Sequence, residues 1–498
     1  MSLSQSILPA LKEAGKLTVP KYDPKLLSAG ILHLGVGNFH RSHFATYMND
    51  LFIDNAETNK EWGIIGGGIM SFDADKRSLL ESQDWLQTVV EQDATSSKAS
   101  IVGSMIDFLP VDYINKQHKE LQAAFINPAI KIVSLTVTEG GYYLSDGKFN
   151  LTAPDIQHDV TSPDAPHTIF GMMVKALKIR REAGIPPFTV LSCDNMPHNG
   201  KVTKSVVVSL AKAMYGDEMS EWIGKEVPFP SSMVDRITPG STDATKAFVK
   251  ETYGYEDKAP IFCEPFRQWV IEDAFPLGRP AWETLENVTI VKDVEPFETM
   301  KIRILNGGHA SLCYPSALLG VKYIHEAMEH PTIGPFLDAL ERNEIIPTVP
   351  PVPNTDLTEY WGLISKRFSN PVLQDTIGRN CYDGASRQPK FIVPTVADGL
   401  KAGTSVDGLA LVSAMWCRYC MGTTEAGETI APNDPQWDGL QKLAQSAKTD
   451  PNVWLGMNDV YGDVGLNPIF KDAFSKALTK VQTKGVETAM KEYVASHA

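Results

Sequence analysis

The sequence predicts an α/β fold in two parts. A Rossmann-like domain with a largely parallel sheet is expected over residues 1–292, and a mainly α-helical domain over residues 293–498. Three observations carry this. Short β-branched runs alternate with helical periodicity up to about residue 290. The first of those runs ends in a Gly-x-Gly turn that opens a helix. From about Glu295 onward, apolar residues recur at helical spacing and strand signals become few. At 498 residues the chain is also too long for a single core.

Composition narrows the class. With 43% hydrophobic and 21% charged residues the chain reads as an ordinary soluble globular protein. A net charge of −14 and a pI near 5.3 argue against nucleic acid or an anionic membrane as partner. The N-terminus runs into Lys12 and Glu13 without an apolar stretch, so no signal peptide is expected, and no apolar run approaches a membrane span. Six cysteines spread over a long chain then suggest reduced thiols and a cytoplasmic protein. The sequons at Asn150 and Asn287 read as chance matches. A small-molecule partner and a monomer or weak homo-oligomer are expected.

Gly30-Ile31-Leu32-His33-Leu34 reads as a short buried strand. It feeds Gly35-Val36-Gly37-Asn38-Phe39-His40-Arg41 and then a helix through Ala45, Met48 and Leu51. Strand, glycine turn and helix let backbone N–H groups meet a pyrophosphate. The third glycine of the generic fingerprint is missing, because His40 stands there. Trp62–Gly68 reads as a second strand, and the first acidic residue after it is Asp73, later than the usual spacing of about 20 residues from the glycines. Ala129–Val137 is a third strand, ending in the turn Thr138-Glu139-Gly140-Gly141-Tyr142. Phe188–Cys193 is a fourth, after a helix over 167–183. It leaves through Asp194-Asn195-Met196-Pro197-His198-Asn199-Gly200 into a helix over 202–214. Phe229–Pro239 is extended and again polar at its end. Helices are then expected over 310–329, 333–344, 406–420, 437–447 and 469–494, with proline-containing breaks at 347–353 and 432–435.

The most informative stretch lies at the start of the second domain, from Glu298 to Ala310. Read as an α-helix, it places Lys301, Asn306 and His309 within an arc of about 140°. Ile302 and Leu305 are expected to hold the helix against a core. Gly307 and Gly308 in mid-helix cost about 1 kcal/mol each relative to alanine, which implies a close approach there. A base, a hydrogen-bond donor and an imidazole on one face, downstream of a nucleotide-binding turn, suggest a dehydrogenase.

Other constellations fail. His325 and His330 are five residues apart, so two imidazoles about 140° apart on a helix do not share a metal. Cys417 and Cys420 have no partner pair and read as core residues. No metal cluster emerges from the histidines. No tyrosine has a lysine four residues on, and no Gly-x-Ser-x-Gly elbow supports a hydrolase.

Taken together, Gly35–Arg41, Thr138–Gly141, Cys193–Gly200, Val234-Asp235-Arg236-Ile237-Thr238-Pro239 and Lys301-x5-Asn306-x2-His309 resemble the polyol-specific long-chain dehydrogenases, the mannitol dehydrogenase family. The resemblance runs from about Ile31 into the C-terminal region. In that family Phe39-His40 replaces the end of the dinucleotide fingerprint.

What the resemblance implies is a metal-independent hydride transfer between a polyol and NAD, oxidising D-mannitol to D-fructose or the reverse. Lys301 would be the general base, and Asn195 and Asn306 would donate to the developing alkoxide. His309, Asp235, Arg379 and Arg387 would contact the remaining hydroxyls, and Glu298 would relay the proton. The cofactor-binding set would be Ile31, Leu32, His33, Leu34, Gly35, Val36, Gly37, Asn38, Phe39, His40, Arg41 and Ser42, with Glu139 and Asp73. The charge of Asp73 would disfavour a 2′-phosphate. Alternatives are an arabinitol or sorbitol dehydrogenase, a hexuronate reductase drawing on Arg379 and Arg387, and a non-catalytic dinucleotide sensor. The last would have no need of the Lys301 set.

Overall fold

The computed structural model describes residues 1–145 and 147–497. The chain divides into two compact units, Met1–Val294 and Glu295–Ala498.

The first unit is built on a five-stranded parallel sheet of β1 (Ala29–Leu34), β2 (Gly63–Gly67), β3 (Met105–Phe108), β4 (Ile132–Leu135) and β5 (Thr189–Ser192). Their spatial order is β3-β2-β1-β4-β5, and every pairing is parallel. This is the Rossmann order, with the direction of winding reversing between β1 and β4. The strands are short apolar runs because both faces are covered. Leu32, Leu34, Val133, Leu135 and Val190 join one core with the helices Lys119–Ile126, Ile169–Glu182 and Asn199–Tyr215. Ile31, Ile64, Ile132 and Leu191 join a second core with the helix Phe44–Asn59, Trp269 and Trp282.

Besides the antiparallel pair Leu144–Ser145/Lys148–Phe149, the described residues of this unit form two smaller mixed sheets, which the sequence does not separate from the main one. In one, the hairpin Gln87–Gln92/Ser97–Val102 pairs with Ile261–Cys263. Its turn is closed by Asp93, whose Oδ1 accepts from the N–H groups of Thr95 and Ser96, each at 2.8 Å. In the other, Ser232–Asp235 runs antiparallel to Gln268–Glu272, which pairs in parallel with Val288–Val291. The extended run expected over 229–239 therefore holds a strand, Ser232–Asp235, outside the main sheet.

Among its described residues the second unit contains no strand, only the isolated bridges Tyr323–Thr376 and Thr423–Thr429. Its helices are more broken than periodicity suggested. The expected helix over 310–329 stops at Leu318, with Gly320 at φ +76°, and restarts at Ile324–Glu329. The one over 469–494 is two helices, Pro468–Lys484 and Val486–Ser496, hinged at Gly485 with φ +84°. The helices Leu357–Phe368, Gly384–Phe391 and Val393–Ala402 were not expected. Pro389 and Pro394 mask the last two in the sequence, although the second proline sits in a first turn, where it is tolerated. No helix among the described residues is long and apolar enough to cross a membrane.

Candidate active site

The glycine turn leaves the end of β1 at the switch point. Gly35 adopts φ +92°, and a Cβ there would lie 2.1 Å from the carbonyl oxygen of Thr136 on the exit of β4, so only glycine fits. Gly37 is different: a Cβ would meet nothing nearer than Gly35 O at 3.9 Å. Packing within the chain does not demand a glycine there, whereas a pyrophosphate brought against the backbone does. Gly37 opens the short helix Asn38–Ser42.

His40, at the place of the third glycine, is fully buried and stacks on His33 of β1 with ring centroids 3.4 Å apart. His33 Nδ1 lies 2.8 Å from Ser134 Oγ and its Nε2 lies 3.0 Å from Thr136 Oγ1. Helix and strand are thus joined by an imidazole stack in place of a glycine contact. Burial lowers the His33 pKa to about 3. Burial, then the nearby charges of His33, Arg41 and His43, hold His40 well below its usual value. Arg41 turns away from the turn's open side. It donates to Gln87 Oε1 at 3.2 Å, Ala259 O at 2.8 Å and Asn38 Oδ1 at 2.8 Å. Ser42 Oγ lies 2.8 Å from Thr238 Oγ1, and Arg236 donates to Ser42 O, which ties this helix to the segment after Asp235.

Asp73 is buried at the start of the helix Ser71–Glu81. Its Oδ2 accepts from the N–H groups of Ile69 and Met70, each at 3.0 Å, so it caps that helix. Phe72 beside it is 64% exposed. Burial, partly offset by those two hydrogen bonds, raises the Asp73 pKa. Glu139 lies in an exposed 3₁₀ turn after β4.

Two residues outside the expected site hold the β5 exit in place. Asp194 accepts from Thr138 N at 2.7 Å, Val137 N at 3.2 Å and Tyr142 Oη at 2.7 Å, which clamps the β4 exit to the residue before Asn195. Asn199, fully buried, donates to Asp194 O at 3.0 Å and Ser232 O at 2.7 Å, and accepts from Ser232 N at 3.0 Å. Asn199 thereby joins the Asn195 turn to the strand that ends in Asp235, itself buried. Both lie within the Cys193–Gly200 motif, and a second asparagine in that polar turn was the available signal.

In the second unit the stretch Glu298–Ala310 is not one α-helix. The helix Glu295–Met300 passes into a π-helical segment, Lys301–Asn306, and then into the helix Gly307–Leu318. A π turn closes over five residues rather than four. Lys301 and Asn306, about 140° apart on α geometry, therefore come close to one face. Lys301 is buried and Asn306 half-buried. The core side also changes: Ile304 and Leu305 are buried while Ile302 is only half-buried. Glu298 is buried in the last turn before the π segment.

The glycines have a physical reason. A Cβ on Gly308 would lie 2.9 Å from Glu341 Oε1 and 3.3 Å from the Phe368 ring. That ring stacks on His309 at 4.0 Å. Burial above all lowers the His309 pKa to about 3, against an opposing pull from Asp375, so the imidazole is neutral. Asp375 Oδ2 lies 3.9 Å from His309 Nε2. The same carboxylate binds Arg379 through both oxygens, at 2.8 and 2.7 Å. Burial alone would raise the Asp375 pKa, but the Arg379 hydrogen bonds and charge outweigh it and the net shift is downward. Arg387 lies over the Phe391 ring at 5.5 Å, with its Nε buried and unpartnered. Asp375 was not among the expected site residues, although an aspartate four residues before Arg379 was visible in the sequence.

Comparison with known proteins fits this arrangement. The family model described as the mannitol dehydrogenase Rossmann domain matches residues 29–284, and that of the mannitol dehydrogenase C-terminal domain matches residues 293–482. The chain belongs to the mannitol dehydrogenase family. It is an oxidoreductase of that family, with the Rossmann-plus-helical architecture expected from its sequence. A mannitol 2-dehydrogenase of Cereibacter sphaeroides is 49% identical over 481 residues, covering 96% of this chain and 99% of the relative. A mannitol dehydrogenase of Saccharomyces cerevisiae is 39% identical over 96% of this chain and 94% of its own. Among solved structures, Pseudomonas fluorescens mannitol 2-dehydrogenase in ternary complex with NAD and D-mannitol is similar with a TM-score of 0.85. The two share 38% identity over 99% of this chain and 100% of that one. A substrate-free D-sorbitol dehydrogenase gives a TM-score of 0.89 at 31% identity, covering 98% and 100%.

Among the described residues no group of three or more His, Cys, Asp or Glu side chains is placed to hold a metal ion. All six cysteines, Cys417 and Cys420 included, are free and buried.

Proposed function

We propose that this enzyme oxidises D-mannitol to D-fructose, reversibly, with Lys301 as general base and without a metal ion. The observation that carries the reading is the π segment. It sets a buried lysine amine and a carboxamide at its two ends, followed by the neutral imidazole of His309. An unprotonated Lys301 takes the hydroxyl proton while the carbinol C–H bond breaks and the C=O bond forms. Asn306 donates to the oxygen as negative charge grows on it, and Asn195 is assigned the same task. His309 and Asp235 pair with the other hydroxyls, as do Arg379 and Arg387. Glu298, one turn before Lys301, passes the proton on to water.

The coenzyme is NAD, which when bound accepts the hydride. Gly35 and Gly37 would take its pyrophosphate at the end of β1, and Asp73 its adenosine ribose. The open side of Gly37 fits such a group. Six free cysteines support a cytoplasmic setting.

D-Sorbitol is the second substrate to consider, because the fold likeness to a D-sorbitol dehydrogenase is as high as that to the mannitol enzyme. Following NADH absorbance with mannitol, sorbitol and arabinitol in turn tests the reading. Fastest turnover per unit KM on mannitol is expected, and no NAD-dependent oxidation of mannitol overturns it.

A further inference from the structure

Arg379 reaches outward, with a side chain 65% exposed, but Asp375 beneath it is only 10% exposed and firmly held. Asp375 O accepts from Ile324 N at 2.9 Å, Ile377 N donates to Lys322 O at 2.9 Å, and Asn380 Nδ2 donates to the Asp375 carboxylate at 3.2 Å. The two Asp375 oxygens take Nε and Nη2 of Arg379. That is the fork with which an arginine binds any carboxylate, including one on a substrate. The charges near this point are Arg379, Arg387 and Arg367 against Asp375, with His309 neutral.

We propose that Asp375 is a specificity-determining residue: by occupying the fork of Arg379, it makes the site select neutral polyols over the same carbon chains ending in a carboxylate. The pair leaves Arg379 with Nη N–H groups for a hydroxyl but cancels the charge and fills the Nε/Nη2 face that would grip an aldonate. This rests on the assignment of Arg379 to the substrate made above. Asp375 acts through Arg379 and His309 and is a positioning residue.

The test compares D-mannitol as substrate with D-mannonate as competitive inhibitor. Asp375→Asn keeps the shape and removes the charge. It should tighten mannonate inhibition relative to the KM for mannitol by at least about tenfold, with NADH binding unchanged. Arg379→Met leaves Asp375 as a bare anion and should weaken mannonate inhibition below that of the wild type. A purely structural Asp375 would loosen both ligands together and leave their ratio alone. An unchanged ratio in folded Asp375→Asn overturns the inference, as does unchanged or tighter mannonate inhibition in Arg379→Met, which decides the matter if the first variant does not fold. Wild-type enzyme inert toward mannitol and NAD overturns the reading beneath it as well; wild-type turnover with an unchanged ratio overturns only this inference.

Discussion

Lys301 and Asn306 are the first and last residues of one π-helical segment. A single widened turn brings a lysine amine and a carboxamide to the same side, which an α-helix does with residues three or four apart but not five. Asn306→Ala should therefore act on the chemical step. We expect kcat to fall about 10²–10³-fold, the cost of one oxyanion donor, with the NADH dissociation constant unchanged by fluorescence titration. A loss confined to NADH binding would remove Asn306 from this role.

Asp73 has two tasks, and they separate by substitution. Its Oδ2 caps the helix Ser71–Glu81, and in the proposed reading its charge also disfavours a 2′-phosphate. Asp73→Asn keeps a capping oxygen and should raise kcat/KM with NADP relative to NAD at little cost in stability. Asp73→Ala should give the same coenzyme shift but lose about 0.5–2 kcal/mol. Thermal melting beside coenzyme kinetics checks both, and an unchanged coenzyme ratio in both variants leaves Asp73 as a cap only.

Glu341 is fully buried with neither carboxyl oxygen partnered, and burial pushes its pKa well above the usual range. Glu341→Met should stabilise the protein by about 1–3 kcal/mol near neutral pH. The sign with pH is definite. Above the unfolded value of about 4.3 the unfolded chain sheds its proton while the folded one keeps it. Wild-type stability therefore falls relative to the variant as pH rises. Denaturant unfolding at several pH values should show the gap widening, and a constant gap would mean that Glu341 is charged.

His40 works in the opposite sense. Its folded pKa lies well below 6.5, so it stays neutral while the unfolded chain takes up a proton. The stability it contributes is complete above about pH 6.5 and is lost as pH falls. His40→Phe keeps an aromatic ring against His33 and removes the titration. Its stability should decline less between pH 6.5 and 5, by about 1.4 kcal/mol per pH unit at most. Parallel curves for the two proteins would contradict this.

Much of the fold was legible because its signals are local. The β1 turn, the alternation of strand and helix, and the helical second unit follow from glycines, β-branched runs and periodicity. The π segment was not legible: Lys301–Ala310 has helical composition throughout, and nothing local distinguishes an i→i+5 turn from an i→i+4 one. Gly307 and Gly308 announced a close approach, but its causes, Phe391 O and Glu341, lie more than thirty residues downstream and are fixed only by packing. The clamps Asp194 and Asn199 likewise act across strands far apart in sequence. The helices Gly384–Phe391 and Val393–Ala402 were missed because each carries a proline, Pro389 inside the first and Pro394 in the first turn of the second.

The central claim is that Lys301 is the base. Lys301 is buried, and in the proposed reading its amine acts unprotonated. The deciding measurement is the pH dependence of mannitol oxidation in wild type and Lys301→Ala. Wild-type kcat should rise through a single ionisation well below the free lysine value of about 10.4. In Lys301→Ala that ionisation should vanish, with kcat lower by several orders of magnitude, NADH binding intact and partial rescue by external primary amines. A Lys301→Ala enzyme with near-full kcat and the same pH profile would contradict the account.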